Sequence, residues 1–218
     1  MRRLAALKGV RLAPSFSFGG TTPVRSQAPS MELISVQAVK HPKLLLYLAE
    51  RGLQPSDVSP FLSEVYYRVS EKYFFALGFP NDAGGWELRN PYFKGCFAPK
   101  AITTIKGTDS HKLQLFEGFM DFLSWWKLHP EVQADSIILN SLTLLPKLIP
   151  SLHPYPIIES LLDNDEAGDR ATKQLIDAGL PVKDMRACYA PYKDINEYLT
   201  LAEQRKQILT PRKRGLRR

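Results

Sequence analysis

Two short acidic signatures carry the chemistry of this chain. One is Glu117-Gly118, with Asp121 close behind, inside Phe116-Glu117-Gly118-Phe119-Met120-Asp121; the other is Asp163-Asn164-Asp165, followed by Glu166-Ala167-Gly168. Each falls where an apolar run gives way to an amphipathic one, the pattern of a strand, a tight turn and a helix. Ligands of open parallel sheets gather beyond the carboxyl ends of strands. Three carboxylates there, Glu117, Asp163 and Asp165, would repel one another and raise each other's pKa unless a divalent cation neutralised them. Magnesium, or manganese in its place, is the expected ion. Asp163 and Asp165 lie two apart and face the same way if the backbone stays extended through Asn164. Asp121 lies one helical turn past Glu117, where it can support the site. Magnesium held by few carboxylates keeps positions for water and phosphate oxygens, so the chemistry indicated is metal-assisted phosphoryl transfer. An Asp-x-Asp pair alone is equally a helix cap.

The elements around these residues alternate. Strands are expected over 112–116, 136–139, 157–162 and 185–189. Helices are expected over 118–128, 142–152 (short or kinked, because of Pro146 and Pro150) and 167–178, the last closed by Gly179. Strands alternating with helices imply a parallel sheet with right-handed crossovers. Upstream, residues 43–52 read as a helix closed by Gly52, and Ser56-Asp57 opens a second helical turn. Val65–Val69, Tyr73–Phe79 and Trp86–Arg89, with the turn Asn81-Asp82-Ala83-Gly84-Gly85, form a small antiparallel sheet.

The bulk properties agree with a folded, polyanion-binding protein. The chain has 218 residues, 44% of them hydrophobic, enough to bury a core, and a formal net charge of +7 with pI near 9.4. Charge of this size also occurs in proteins that are merely basic. Cys96 and Cys188 form no Cys/His cluster, so no zinc is expected. The four histidines stand at loop-like positions that suit surface or capping roles. No apolar run is long enough to span a membrane, and a cytoplasmic location is expected. Residues 1–30, acid-free with Gly19-Gly20, prolines and serines, have the composition of a disordered linker, an organellar transit peptide being the alternative. The end of the chain, 201–218, is a basic tail, either an electrostatic arm or a solvated terminus.

The combination of Glu-Gly at one strand end, Asp-x-Asp before Ala-Gly at a later one, and Lys193-Asp194-Ile195-Asn196-Glu197 after the last strand resembles the Toprim domain of bacterial-type DNA primases. Tyr47-Leu48-Ala49-Glu50-Arg51-Gly52-Leu53 is similar to the stretch that opens the primase catalytic core. Gly84-Gly85-Trp86-Glu87-Leu88-Arg89-Asn90 is similar to its small amino-terminal subdomain in short primase-like proteins of plasmids and mobile elements. The resemblance covers residues from about 32 to 200. It implies an α/β fold: a Toprim domain over 109–200, a four-stranded parallel sheet with helices on both faces, preceded by a small α+β subdomain over 31–108. It implies that Glu117, Asp163 and Asp165 hold catalytic metal with Asp121 and Asp194 in support, and that Arg89, Lys94, Lys100 and Lys193 meet template or nucleotide. For the first three of those cations an ordinary solvated face is the alternative. Asn196 stands where many primases carry a second Asp, which removes a ligand. The implied activity is synthesis of short RNA primers on single-stranded DNA from nucleoside triphosphates. The implied partners are a replicative helicase or a separate zinc-ribbon protein, since neither the zinc ribbon nor the helicase-binding domain of full primases is visible. A Toprim nuclease, or a truncated remnant that binds single-stranded DNA through its tail and stacks it on Tyr66, Tyr67, Phe74 or Trp86, uses the same features. A topoisomerase would need large further domains.

Overall fold

The computed structural model of the chain describes residues 31–131 and 134–209. The expectations for residues 1–30 and 210–218 lie outside the described residues. The first half is a five-stranded antiparallel meander: β1 (Met31–Gln37), β2 (Ser63–Val69), β3 (Lys72–Pro80), β4 (Trp86–Asn90) and β5 (Phe93–Phe97), paired in that order. Helices α1 (Pro42–Glu50) and α2 (Pro55–Val58) are inserted between β1 and β2. The imidazole of His41 caps α1 by accepting the Lys43 amide, as a loop histidine can. The period-two pattern divides the sheet: Met31, Val65, Tyr67, Ala76, Leu88 and Phe97 bury one face, while Leu77 and Phe79 of β3 face the other.

The second half supplies a mixed sheet. Its strands are β6 (Thr103–Ile105), β7 (Asp109–Phe116), β8 (Ala134–Ile138), β9 (Ile157–Leu161) and β10 (Val182–Asp184), arranged β10-β9-β7-β8-β6. The four strands from β7 to β10 run parallel, and β6 is an antiparallel fifth strand on the β8 edge. The helices are α3 (Phe119–Leu128), α4 (Leu145–Leu152), α5 (Glu166–Asp177) and α6 (Ile195–Leu209). Alternate strand residues face opposite layers: Leu113, Leu115, Ile137 and Ile158 pack with α4 and α5, whereas Phe116, Ile138 and Leu161 pack with α3 and α6. The last parallel strand lies earlier than the apolar run 185–189 indicates. Asp184 accepts both the backbone amide and the guanidinium of Arg186, which turns the chain after three paired residues. Tyr189 is buried for another reason: its ring packs in the core on the α3/α6 side, with its hydroxyl donating to the Leu162 carbonyl at 2.6 Å.

The core on the α3/α6 side also contains Leu44, Tyr47, Leu48, Leu53, Val58, Leu77 and Phe79, so both sheets close on one apolar mass. Lys127 ties the halves further, donating to the Gly52 carbonyl at 2.7 Å and pairing with Asp57 at 3.2 Å. Among the described residues no helix is long and apolar enough to cross a membrane.

Candidate active site

Strand order explains why the two acidic signatures meet. The chain leaves β7 to one side, forming β8, then returns past β7 to form β9 and β10 on the other, so β7 and β9 are neighbours at a topological switch point. Phe116 and Leu161 are register partners, which sets Glu117 and the Leu162-Asp163 step side by side at the carboxyl ends of the two strands. Gly118 caps α3 in extended backbone and Asp165 caps α5, so both turns pass from strand to helix within a few residues. Gly168 must be glycine: a Cβ there would lie 2.0 Å from the Asp163 carbonyl oxygen, because α5 packs directly on the backbone of the acidic loop.

The carboxylates differ in state. Burial, then the charges of Asp163 and Asp165, push Glu117 up to about 7, with Lys94 and Lys193 opposing. Asp163 is pushed up to about 6, again first by burial and then by Asp194, against Lys193. Asp121 is raised well above the ordinary range by burial and by Asp194, Asp163 and Glu117. Asp165 goes the other way. Its Oδ1 accepts the amides of Gly168 and Ala167, both at 3.0 Å, and Lys193 lies beside it, so it stays ionised. The Lys193 ammonium sits 3.4 Å from Asp165 Oδ2 and 3.7 Å from Asp163 Oδ2. Burial lowers its pKa, but the surrounding acids outweigh that and leave it raised.

Glu117 Oε2 is buried with no hydrogen-bond partner among the described residues. An orphaned carboxylate oxygen facing a second acid of raised pKa fits a divalent cation, which would supply the missing partner and remove the repulsion. The described residues contain no ready-made group of three ligands. The reason is visible in Asp165, whose oxygens are taken by the α5 cap and by Lys193. Magnesium commonly takes only one or two carboxylates and completes its shell with water and phosphate.

Asp194 works as a cap: its carboxylate accepts the Glu197 amide at 2.7 Å at the start of α6. Asn164 fixes this loop, its backbone amide donating to the Lys193 carbonyl at 2.6 Å and its side-chain amide to the Tyr192 carbonyl at 2.8 Å. Of the sequence-predicted cations, Lys94 and Lys193 act on the acidic cluster. Arg89 instead donates to the Tyr47 hydroxyl at 3.2 Å, and Lys100 pairs with buried Glu87 at 2.8 Å. Both are anchored in the first sheet. Tyr67 is core, while Phe74 is partly exposed and stacked on it at 5.6 Å. Tyr92, 95% exposed beside Lys94 on the β4–β5 turn, is an aromatic that the sequence pattern hides, because a lone Tyr in a turn has no periodicity.

Sequence reasoning also missed a hub at Asn196. Its side chain donates to the Arg51 carbonyl and the Ser124 hydroxyl, and accepts from Arg51 Nη1. Its amide donates to Asp121. Gly52, at φ +69°, brings the end of α1 against Leu199 of α6. Tyr47, Arg51 and Gly52 thus join the amino-terminal half to the Lys193-Asp194 loop.

Residues 114–199 match the Toprim-like family, and residues 33–98 match a family described only as a domain of unknown function (DUF8464). Residues 114–199 are thus a Toprim-like domain, and the fold of the chain is one seen in solved primase fragments. The primase fragment of the bacteriophage T7 primase-helicase aligns at TM-score 0.52 and 18% identity, over 76% of this chain and 72% of that one. T7 primase domains bound to an RNA/DNA hybrid and dTTP align at 0.52 and 18%, over 74% of this chain and 87% of that one. The zinc-binding and RNA polymerase domains of the Aquifex aeolicus primase align at 0.54 and 17%, over 79% of this chain and 57% of that one. No curated protein sequence matches the chain. At these identities the likeness is one of fold, and the site of this chain rests on its own geometry.

Proposed function

We propose that this Toprim protein is a primase-type nucleotidyltransferase that joins ribonucleotides into short primers on a single-stranded DNA template, with magnesium or manganese as its ion. The observation that carries the reading is the partnerless Glu117 oxygen beside Asp163 at the β7/β9 switch point, a site that needs a divalent cation to be electrostatically satisfied. When bound, the ion neutralises phosphate charge and lowers the pKa of an attacking hydroxyl. Glu117 and Asp163 would hold it, and Asp121, hydrogen-bonded to the Asn196 amide, would support them from behind. Lys94 and Lys193, on opposite sides of the acidic cluster in sequence, would receive the triphosphate. Tyr92, beside Lys94 and open to solvent, would meet a base of the template by stacking. The T7 relatives of this fold come from a primase-helicase. A helicase or a zinc-ribbon protein supplied by another chain is therefore the partner class we propose.

The test is primer synthesis from labelled ribonucleoside triphosphates on single-stranded DNA, comparing the native chain with Asp163→Asn. Magnesium-dependent product that vanishes in the variant supports the polymerase. Magnesium-dependent degradation of the template would make the protein a Toprim nuclease. DNA binding indifferent to both magnesium and substitution would make it a binding remnant.

A further inference from the structure

Resting on the metal reading just given, we propose that this site takes a single divalent cation and that the Lys193 ammonium is a built-in second positive charge, held by Asp163 and Asp165 where a second ion would otherwise be needed. Four observations converge. The Lys193 nitrogen lies within 3.7 Å of Asp163 Oδ2 and 3.4 Å of Asp165 Oδ2, bridging the two acids of the Asp-x-Asp pair. Asp165 is engaged at both oxygens, Oδ1 by the two α5 amides and Oδ2 by the Lys193 ammonium. Asn196 offers no carboxylate and is turned inward, its amide nitrogen spent on Arg51 and Ser124 and its oxygen on the Arg51 guanidinium. Asp194 commits its Oδ1 to the Glu197 amide at the head of α6. Glu117, whose buried Oε2 has no hydrogen-bond partner among the described residues, and Asp163 beside it form a donor pair for one cation.

The position of Lys193 is not a chance rotamer. Its own carbonyl accepts the Asn164 amide from the middle of the Asp-x-Asp turn, and its amide donates to Glu197, so the backbone on both sides of the ammonium is fixed against the acids it bridges. The ammonium therefore both lowers the repulsion among the acids and repels any further ion, whereas a carboxylate at position 196 would do the opposite.

The experiment is a Mn2+ titration of the full chain without nucleotide, with free Mn2+ read by electron paramagnetic resonance. The native chain is expected to bind one ion. Lys193→Met, which deletes the charge, is expected to bind Mn2+ about tenfold more tightly or to admit a second ion, the scale of one unit charge a few ångströms away at a partly open site. Lys193→Arg, which keeps the charge, is expected to match the native chain. Two ions in the native chain, unchanged or weaker binding in Lys193→Met, or an Arg variant that behaves like the Met variant would each overturn the inference. No Mn2+ binding by the native chain or either variant would instead remove the metal reading itself.

Discussion

Replacing Glu117 by glutamine should make the metal-free protein more stable, although it removes a residue assigned to the site. Glu117 stands at about 7 in the fold against an ordinary 4.5. A carboxyl raised this far binds its proton more tightly in the native state than in the unfolded chain, so its contribution is neutral below pH 4.5. As pH rises from there to about 7 the native state is progressively penalised, and above 7 the full penalty applies. The shift corresponds to about 3 kcal/mol, and screening at a half-buried, partly open site reduces this to about 2 kcal/mol. For a chain of this size that is about 4–8 °C in melting temperature. The glutamine amide keeps the shape, carries no charge toward Asp163 and Asp165, and can donate to them. Thermal unfolding should be followed for both proteins at pH 4.5, 6 and 8 without metal, then at pH 8 with millimolar magnesium. The variant should gain at pH 8, lose its advantage toward pH 4.5, and respond less to magnesium, because ligand binding stabilises only the protein that binds. Equal stability at pH 8, or an advantage independent of pH, would refute the claim that burying Glu117 beside Asp163 and Asp165 penalises the ionised, metal-free site.

Gly168→Ala should destabilise the fold by about 1–3 kcal/mol in denaturant titrations, because its Cβ would press 2.0 Å from the Asp163 carbonyl, and should weaken Mn2+ binding as that loop shifts. Asn196→Asp should also destabilise, by about 2 kcal/mol in urea unfolding, since a carboxylate cannot donate to the Arg51 carbonyl and Ser124; a neutral outcome would mean the hub is dispensable. Lys100→Ala should lower stability by about 1–3 kcal/mol by leaving Glu87 buried without its cation, yet leave Mn2+ affinity unchanged, whereas Lys94→Ala should weaken single-stranded DNA binding with little loss of stability.

Much of this architecture is legible in the chain because its signals are local. The alternation of apolar runs with amphipathic ones, each turn marked by an acidic residue, predicts β7, α3, β9 and α5 and places Glu117, Asp163 and Asp165 at strand ends. What is not local stays hidden. Strand β6 has only three residues, Thr103–Ile105, and its pairing with β8 is written nowhere near either segment. The apolar run 185–189 reads as a strand, yet Asp184 ends the pairing and Tyr189 is buried in the core on the α3/α6 side with its hydroxyl bonded to the Leu162 carbonyl, a long-range arrangement that overrides propensity. Lys100 and Lys193 look alike in sequence as basic residues near acidic motifs; only the fold shows that one neutralises Glu87 while the other bridges Asp163 and Asp165. The role of Asn196 follows the same logic. In sequence it reads as a missing ligand, but its amide supplies two donors that an aspartate lacks, and those donors hold Arg51 and Ser124 against α6. Asn196 thus links the two halves of the protein through donors that an aspartate lacks, and it does so without placing a carboxylate beside Asp121.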